Sequence, residues 1–193
     1  MKTQKKGFTL IELLTALCIV AVMATAVIPS FMQILRKTKS TADVNRLVGM
    51  INLARYYAVT KNRSLTFCPS ISGAQCQGEW HQGALLFEDG NKNGILEPND
   101  RIVAFMPGFT HASLAWRAFQ RKQVIQFLPN GLTFYQNGTF TYCDNDGHAT
   151  LSRLIIINRQ GRVRVLKDDD GDGMIIDRKR RRMINCLQPK GGE

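Results

Sequence analysis

Histidine is scarce in this chain, and His81, His111 and His148 stand without metal-ligand spacing. No Cys-x-x-Cys pair occurs, which argues against zinc ribbons and thioredoxin-like redox chemistry. A nucleophile elbow, a glycine-rich phosphate loop and a His-Glu-x-x-His helix are also missing, so nothing reads as an enzyme or calls for a cofactor. The six prolines form no linker, and no internal repeat divides the chain. Acidic residues are in short supply, 15 against 26 Lys and Arg, for a formal charge of +11. That excess favours an anionic partner, nucleic acid or phospholipid head groups, without choosing between them.

One long apolar run stands against these absences. Residues 8–28 are long enough to cross a bilayer as a helix, follow a leader containing Lys2, Lys5 and Lys6, and carry a single carboxylate, Glu12. A secretory signal places its small-residue cleavage site after the apolar core. Here the obvious processing point, between Gly7 and Phe8, lies before it, so the segment stays with the mature protein. Removing the three leader lysines leaves +8 on the mature side chains. A Glu in hydrocarbon costs about 2.5 kcal/mol or more without a partner, so Glu12 needs a positive group at membrane depth. The new amino group on Phe8 of a neighbouring subunit would be one.

The run Lys5-Lys6-Gly7-Phe8-Thr9-Leu10-Ile11-Glu12 resembles the N-terminal signature of type IV pilins and type II secretion pseudopilins. The resemblance implies that a prepilin peptidase cuts between Gly7 and Phe8 and methylates Phe8, and that Glu12 aligns subunits during assembly. It also implies a single-pass inner-membrane protein with a periplasmic domain, extracellular once built into a pilus, whose partners include other pilins. Proline at the distance of Pro29 is common in such proteins, and its missing donor and crowding of the preceding turn predict a kink or local opening.

Beyond Pro29, Val44, Leu47, Val48, Ile51, Ala54 and Ala58 recur at helical spacing, predicting an amphipathic spine. Arg55 falls on this apolar stripe and must snorkel outward or find a partner. From Ser64 the pattern changes to short runs of β-formers at 65–68, 84–87, 101–105, 124–128, 139–143, 151–157 and 162–166. Turn signals lie between them at Asp89-Gly90, Asn93-Gly94, Asn130-Gly131, Asn137-Gly138 and Asp146-Gly147. The expected organisation is a leader at 1–7, a transmembrane helix at 8–28, an amphipathic helix at 29–62 and a β-rich periplasmic domain at 63–193. The fold class is α+β, with one long helix packed on antiparallel sheets.

Four of the five cysteines, Cys68, Cys76, Cys143 and Cys186, fall in the exported part, where oxidation favours two disulfides; Cys18 lies in the membrane segment. Three pairings are open. Cys68–Cys76 with Cys143–Cys186 is favoured, because the first closes a short loop and the second clips the C-terminal tail.

The later half resembles the FimT/GspH family of minor pilins and pseudopilins. The resemblance is carried by Phe127-Leu128-Pro129-Asn130-Gly131, by the strand from Gly138 to Asp144, and by Leu154-Ile155-Ile156-Ile157 leading to Gly161-Arg162-Val163-Arg164-Val165. In the last segment a strand period puts Arg162 and Arg164 on one face and Val163 and Val165 on a buried one. Asn158-Arg159-Gln160-Gly161 reads as the hairpin turn, with Gly161 permitting positive φ and Arg159 at the tip. Paired guanidiniums on a rigid hairpin suit phosphate oxygens, and this element resembles the DNA-binding motif of FimT proteins that serve natural transformation. The block Arg178, Lys179, Arg180, Arg181 and Arg182 widens the same surface if Cys186 is tied to Cys143. Trp116 and Phe119, interleaved with Arg117, Arg121 and Lys122, have the composition of a base-stacking run; core packing is the expected role.

Two acidic loops have calcium-like openings. Residues 89–100 have Gly at the sixth place but end in Asp100 instead of a bidentate Glu, so a metal-free Asn/Gly hairpin loop is expected; Asp168 to Asp172 opens a run whose twelfth place is Lys179. The function expected from residues and resemblance together is a minor type IV pilin that binds extracellular double-stranded DNA without sequence preference, for uptake in natural transformation. The alternatives are a GspH-like secretion pseudopilin and a purely structural minor pilin.

Overall fold

The computed structural model describes residues 7–118, 123–168, 172, 174 and 175. Helix α1 runs over Leu10–Lys61, 52 residues, and continues through Pro29. Thr9 caps it. Its hydroxyl accepts the Glu12 amide at 3.3 Å, which makes Glu12 the third helical residue of a Thr-x-x-Glu start and places its charge at the positive end of the helix. At the other end Asn62 turns left-handed (φ 53°), and the Arg63 amide reaches back to the Ala58 carbonyl at 3.2 Å. That is a Schellman stop.

The chain forms two compact units, Met1–Lys39 and Ser40–Glu193. In the first, the apolar side chains of α1, from Leu10 and Ile11 to Ile34 and Leu35, are exposed along their length. Such a surface is stable against lipid or against other subunits and is costly against water.

In the second unit the helix stripe is buried as its period requires: Val44, Leu47, Ile51, Ala54 and Ala58 enter the core, with Val48 packed against it. The two alanines are fully buried in that core. Strands β1 (Leu65–Pro69), β2 (Gly83–Glu88), β3 (Ile102–Pro107) and β5 (Ile125–Phe127) make one antiparallel sheet in the order β3-β2-β1-β5. Strands β4 (Ala112–Ala118), β6 (Gly138–Asp144), β7 (Arg153–Ile157) and β8 (Val163–Lys167) make the other, in the order β4-β6-β7-β8. An aromatic cluster fills the centre. Trp80 meets Phe140 edge-on at 4.9 Å and Phe67 at 5.1 Å, and Trp116 lies 4.4 Å from Phe140. Trp116 is thus a packing residue, while Phe119 lies outside the described residues.

Several polar groups that enter this interior are paired, although among the described residues Trp80 Nε1 and Arg46 Nε are buried without a hydrogen-bond partner. Ser40 donates to the Leu151 carbonyl at 2.8 Å, and the Tyr142 hydroxyl donates to Asp43 at 3.1 Å. Burial, followed by the neighbouring Asp43 charge, holds the Tyr142 hydroxyl well above the usual phenol range. Asp89 is fully buried, and its carboxylate accepts from the Thr66 hydroxyl, the Gln126 side chain and the amides of Asn93 and Gly94. The first acid of the calcium-like loop therefore works as a cap that folds its own loop inward.

The structure corrects four local expectations. Strand β4 was not foreseen. The Asn137-Gly138 pair is not a turn: Gly138 opens β6 opposite Ala118, and a Cβ there would lie 2.5 Å from the Trp116 ring. Arg162 precedes β8 instead of lying within it. Val165 is on the inward-facing row, opposite Ile155, yet it is 37% exposed because β8 is a sheet edge; Val163 alone of the two packs on the core.

Candidate nucleic-acid interface

The turn joining β7 to β8 is built by Asn158. Its carbonyl accepts the Gly161 amide at 2.9 Å, its amide reaches the Arg162 carbonyl at 3.1 Å, and its side-chain oxygen accepts the Arg162 amide at 2.9 Å. Gly161 takes φ +69°, and a Cβ on it would stand 2.8 Å from the Gly131 carbonyl and 2.9 Å from Cδ of Arg55. Arg55 in turn donates from Nε to that same Gly131 carbonyl at 3.3 Å. The cation that interrupts the apolar helix stripe is therefore the clasp between α1, the 128–133 turn and the arginine hairpin. A second fastening comes from Thr133, whose amide and hydroxyl both donate to the Arg159 carbonyl, at 3.0 and 3.3 Å. The hairpin tip is held from beneath on two sides, as a rigid recognition element requires.

Arg159, Arg162 and Arg164 are exposed at this end. Among the described residues the Arg162 side chain makes no hydrogen bond or ion pair. Register adds a cation that the sequence did not associate with them: Arg164 stands opposite Ile156, Ile156 opposite Thr139, and Thr139 opposite Arg117. Arg117 and Arg164 therefore end one row on the outer face, about 14 Å apart at the usual strand spacing. Both ends of that row are exposed. Strand pairing between distant segments made this row, so no local signal could have found it.

Cys68 and Cys76 are joined, with Cα atoms 5.6 Å apart, and Cys18 is a free thiol. Cys143 is disulfide-bonded too and, by strand alternation with buried Phe140 and Tyr142, sits on the outer face that carries Arg164. Cys186 and the block from Arg178 to Arg182 lie outside the described residues, as do Asp169, Asp170 and Gly171 of the second acidic loop. Asp168 is buried at the end of β8.

At the other terminus Gly7 and Phe8 are exposed, and a Cβ on Gly7 would meet nothing within 4 Å. Glu12 is exposed in the first helical turn. Thr9, its capping partner, was missed as a structural residue although the Thr-x-x-Glu spacing signals it. After β6, Asp144, Asp146 and His148 bring their ligand atoms within 4.8 Å of one another, with His148 Nδ1 3.0 Å from Asp144. That mixed donor set also escaped the reading of histidine spacing.

The family model for type II transport protein GspH matches residues 43–161, and that for the prokaryotic N-terminal methylation motif matches residues 2–28. Two solved structures share the fold. The type IV minor pilin FimU of Pseudomonas aeruginosa is 21% identical with a TM-score of 0.50, the match covering 66% of this chain and 88% of FimU. The minor pseudopilin EpsH from the Type 2 Secretion System of Vibrio cholerae is 9% identical with a TM-score of 0.50, over 68% of this chain and 99% of EpsH. No curated protein matches the chain.

Proposed function

Because the chain belongs to the GspH family of type II transport proteins, a family of minor pilins and pseudopilins, we propose that its periplasmic domain captures double-stranded DNA for a type IV pilus during natural transformation. It is a single-pass inner-membrane protein with a periplasmic domain, and its N-terminal motif implies prepilin peptidase processing and assembly with other pilins. Cleavage between Gly7 and Phe8, methylation of Phe8 and subunit alignment by Glu12 are the steps assigned to that end.

The observation that carries the DNA reading is the clasped hairpin, which presents Arg159, Arg162 and Arg164 outward on a backbone fixed by Asn158, Gly161 and Thr133. Guanidiniums on a rigid support neutralise phosphate oxygens without reading bases, so binding is electrostatic and independent of sequence. A Cys143–Cys186 bond would bring Arg178, Lys179, Arg180, Arg181 and Arg182 to the same face and extend the track.

The test is Arg162→Gln with Arg164→Gln in cells. The variant should enter sheared fibres at the wild-type level while uptake of labelled duplex DNA falls. Unchanged uptake would remove the DNA role. The GspH match favours a second reading, a secretion pseudopilin; under it, deletion of the gene abolishes protein export and the domain has no affinity for DNA.

A further inference from the structure

The segment between β5 and β6 carries an exposed aromatic residue in an unfavourable backbone state. Tyr135 has φ +60°, a left-handed conformation that is an outlier for a bulky side chain. Its neighbours force it. Gln136 is fully buried and exchanges two hydrogen bonds with Gln126, accepting from its amide at 2.8 Å and donating to its side-chain oxygen at 3.1 Å. Thr133 is buried beneath Arg159 as described, and the Tyr135 amide bonds back to the Thr133 carbonyl at 2.9 Å. With Thr133 and Gln136 both turned inward, the ring between them is pushed out and stays 56% exposed. Burial does not explain a strained ring left this open, and strain that the surroundings over-determine concentrates at ligand sites.

The ring has two specific neighbours, the tilted Phe134 ring at 5.3 Å between centroids and the side chain of Arg159. The Arg159 guanidinium carbon lies 5.4 Å from its centroid, so a π face and a planar cation share one surface within the turn that leads to Arg162. Unpaired bases stack on such surfaces while adjacent cations neutralise the backbone; bases inside a duplex offer no free face. We propose that Tyr135 and Arg159 form a stacking platform for unpaired nucleotides, so that the hairpin surface engages single-stranded DNA as well as duplex, with a base on the ring and its phosphates on Arg159 and Arg162. This rests on the DNA reading above and gives that surface a second substrate class.

The test uses the full-length protein in detergent micelles and three probes: a short oligothymidylate, an abasic oligonucleotide of the same length, and a blunt duplex. Wild type should bind oligothymidylate more tightly than the abasic strand. Tyr135→Ala should lower oligothymidylate affinity about 5- to 100-fold and leave the other two probes unchanged. Tyr135→Phe should retain wild-type affinity, and Tyr135→Gly, which relaxes the strained backbone but lacks the ring, should behave as Tyr135→Ala. Equal binding of oligothymidylate and abasic strand by wild type, or parallel loss on all three probes, overturns the platform. Wild type that binds the duplex with no Tyr135 effect on oligothymidylate refutes the platform alone. Wild type that binds no probe refutes the DNA reading with it.

Discussion

Replacing Gly161 by Ala tests whether the arginine hairpin is held as described. The new Cβ meets two obstacles, the Gly131 carbonyl at 2.8 Å and Arg55 Cδ at 2.9 Å, at a φ of +69°. A left-handed non-glycine residue costs about 1–2 kcal/mol, and forcing atoms into a packed contact adds about 1–3 kcal/mol. The expected loss is therefore about 2–5 kcal/mol, or roughly a 4–20 °C fall in Tm for a unit of this size. Urea unfolding of the Ser40–Glu193 unit, followed through Trp80 and Trp116 fluorescence, measures it. A companion variant sharpens the test. Adding Arg55→Ala removes one obstacle but leaves the carbonyl and the backbone conformation, so the two changes should be non-additive, with about 1 kcal/mol recovered relative to their sum. A Gly161→Ala variant within about 0.5 kcal/mol of wild type would refute the clasp.

Asp89→Ala should destabilise the same unit by about 2–4 kcal/mol, because it strands the Gly94 amide and the Thr66 hydroxyl, while the Asn93 amide keeps Asn91 and the Gln126 side chain keeps the Lys92 carbonyl; a chemical melt reads this directly. Glu12→Ala should insert into the membrane normally and be depleted from sheared fibres, since it loses the proposed partner of the Phe8 amine; wild-type fibre content would rule that role out. Non-reducing peptide mapping should return Cys68–Cys76 and Cys143–Cys186 with Cys18 free, and a crossed pairing would detach the basic block from the hairpin face.

The parts of this fold governed by period were legible. The helix stripe repeats at 3.6 residues and ends in small alanines that only a packed face needs, and seven of the strands announce themselves through Val, Ile, Phe and Thr between turn residues. Strand β4 did not, because Ala112, Ser113, Ala115 and Ala118 carry no β signal; it becomes a strand by pairing with β6. Gly138 looked like a turn residue for a similar reason, since the Trp116 ring that excludes a Cβ there belongs to another strand. At the candidate site, Arg55 was conspicuous as a cation on an apolar stripe, but its partner, the Gly131 carbonyl, is 76 residues away. The exposure of Val165 depends on sheet order, and the outward turn of Tyr135 on the pairing of Gln126 with Gln136. Neither is a property of neighbouring residues.

Titration of labelled duplex DNA into the Ser40–Glu193 unit at several salt concentrations, with and without Arg162→Gln and Arg164→Gln, tests the central claim most directly. The double variant should stay folded, because Val163 still packs on the core and the β7–β8 ladder is intact. If both arginines neutralise phosphates, the slope of log affinity against log salt should lose about 1.8, from roughly 0.9 per contact, and binding should weaken alike on unrelated sequences. Wild-type affinity with an unchanged slope would contradict the account and leave secretion or fibre assembly as the role of this domain.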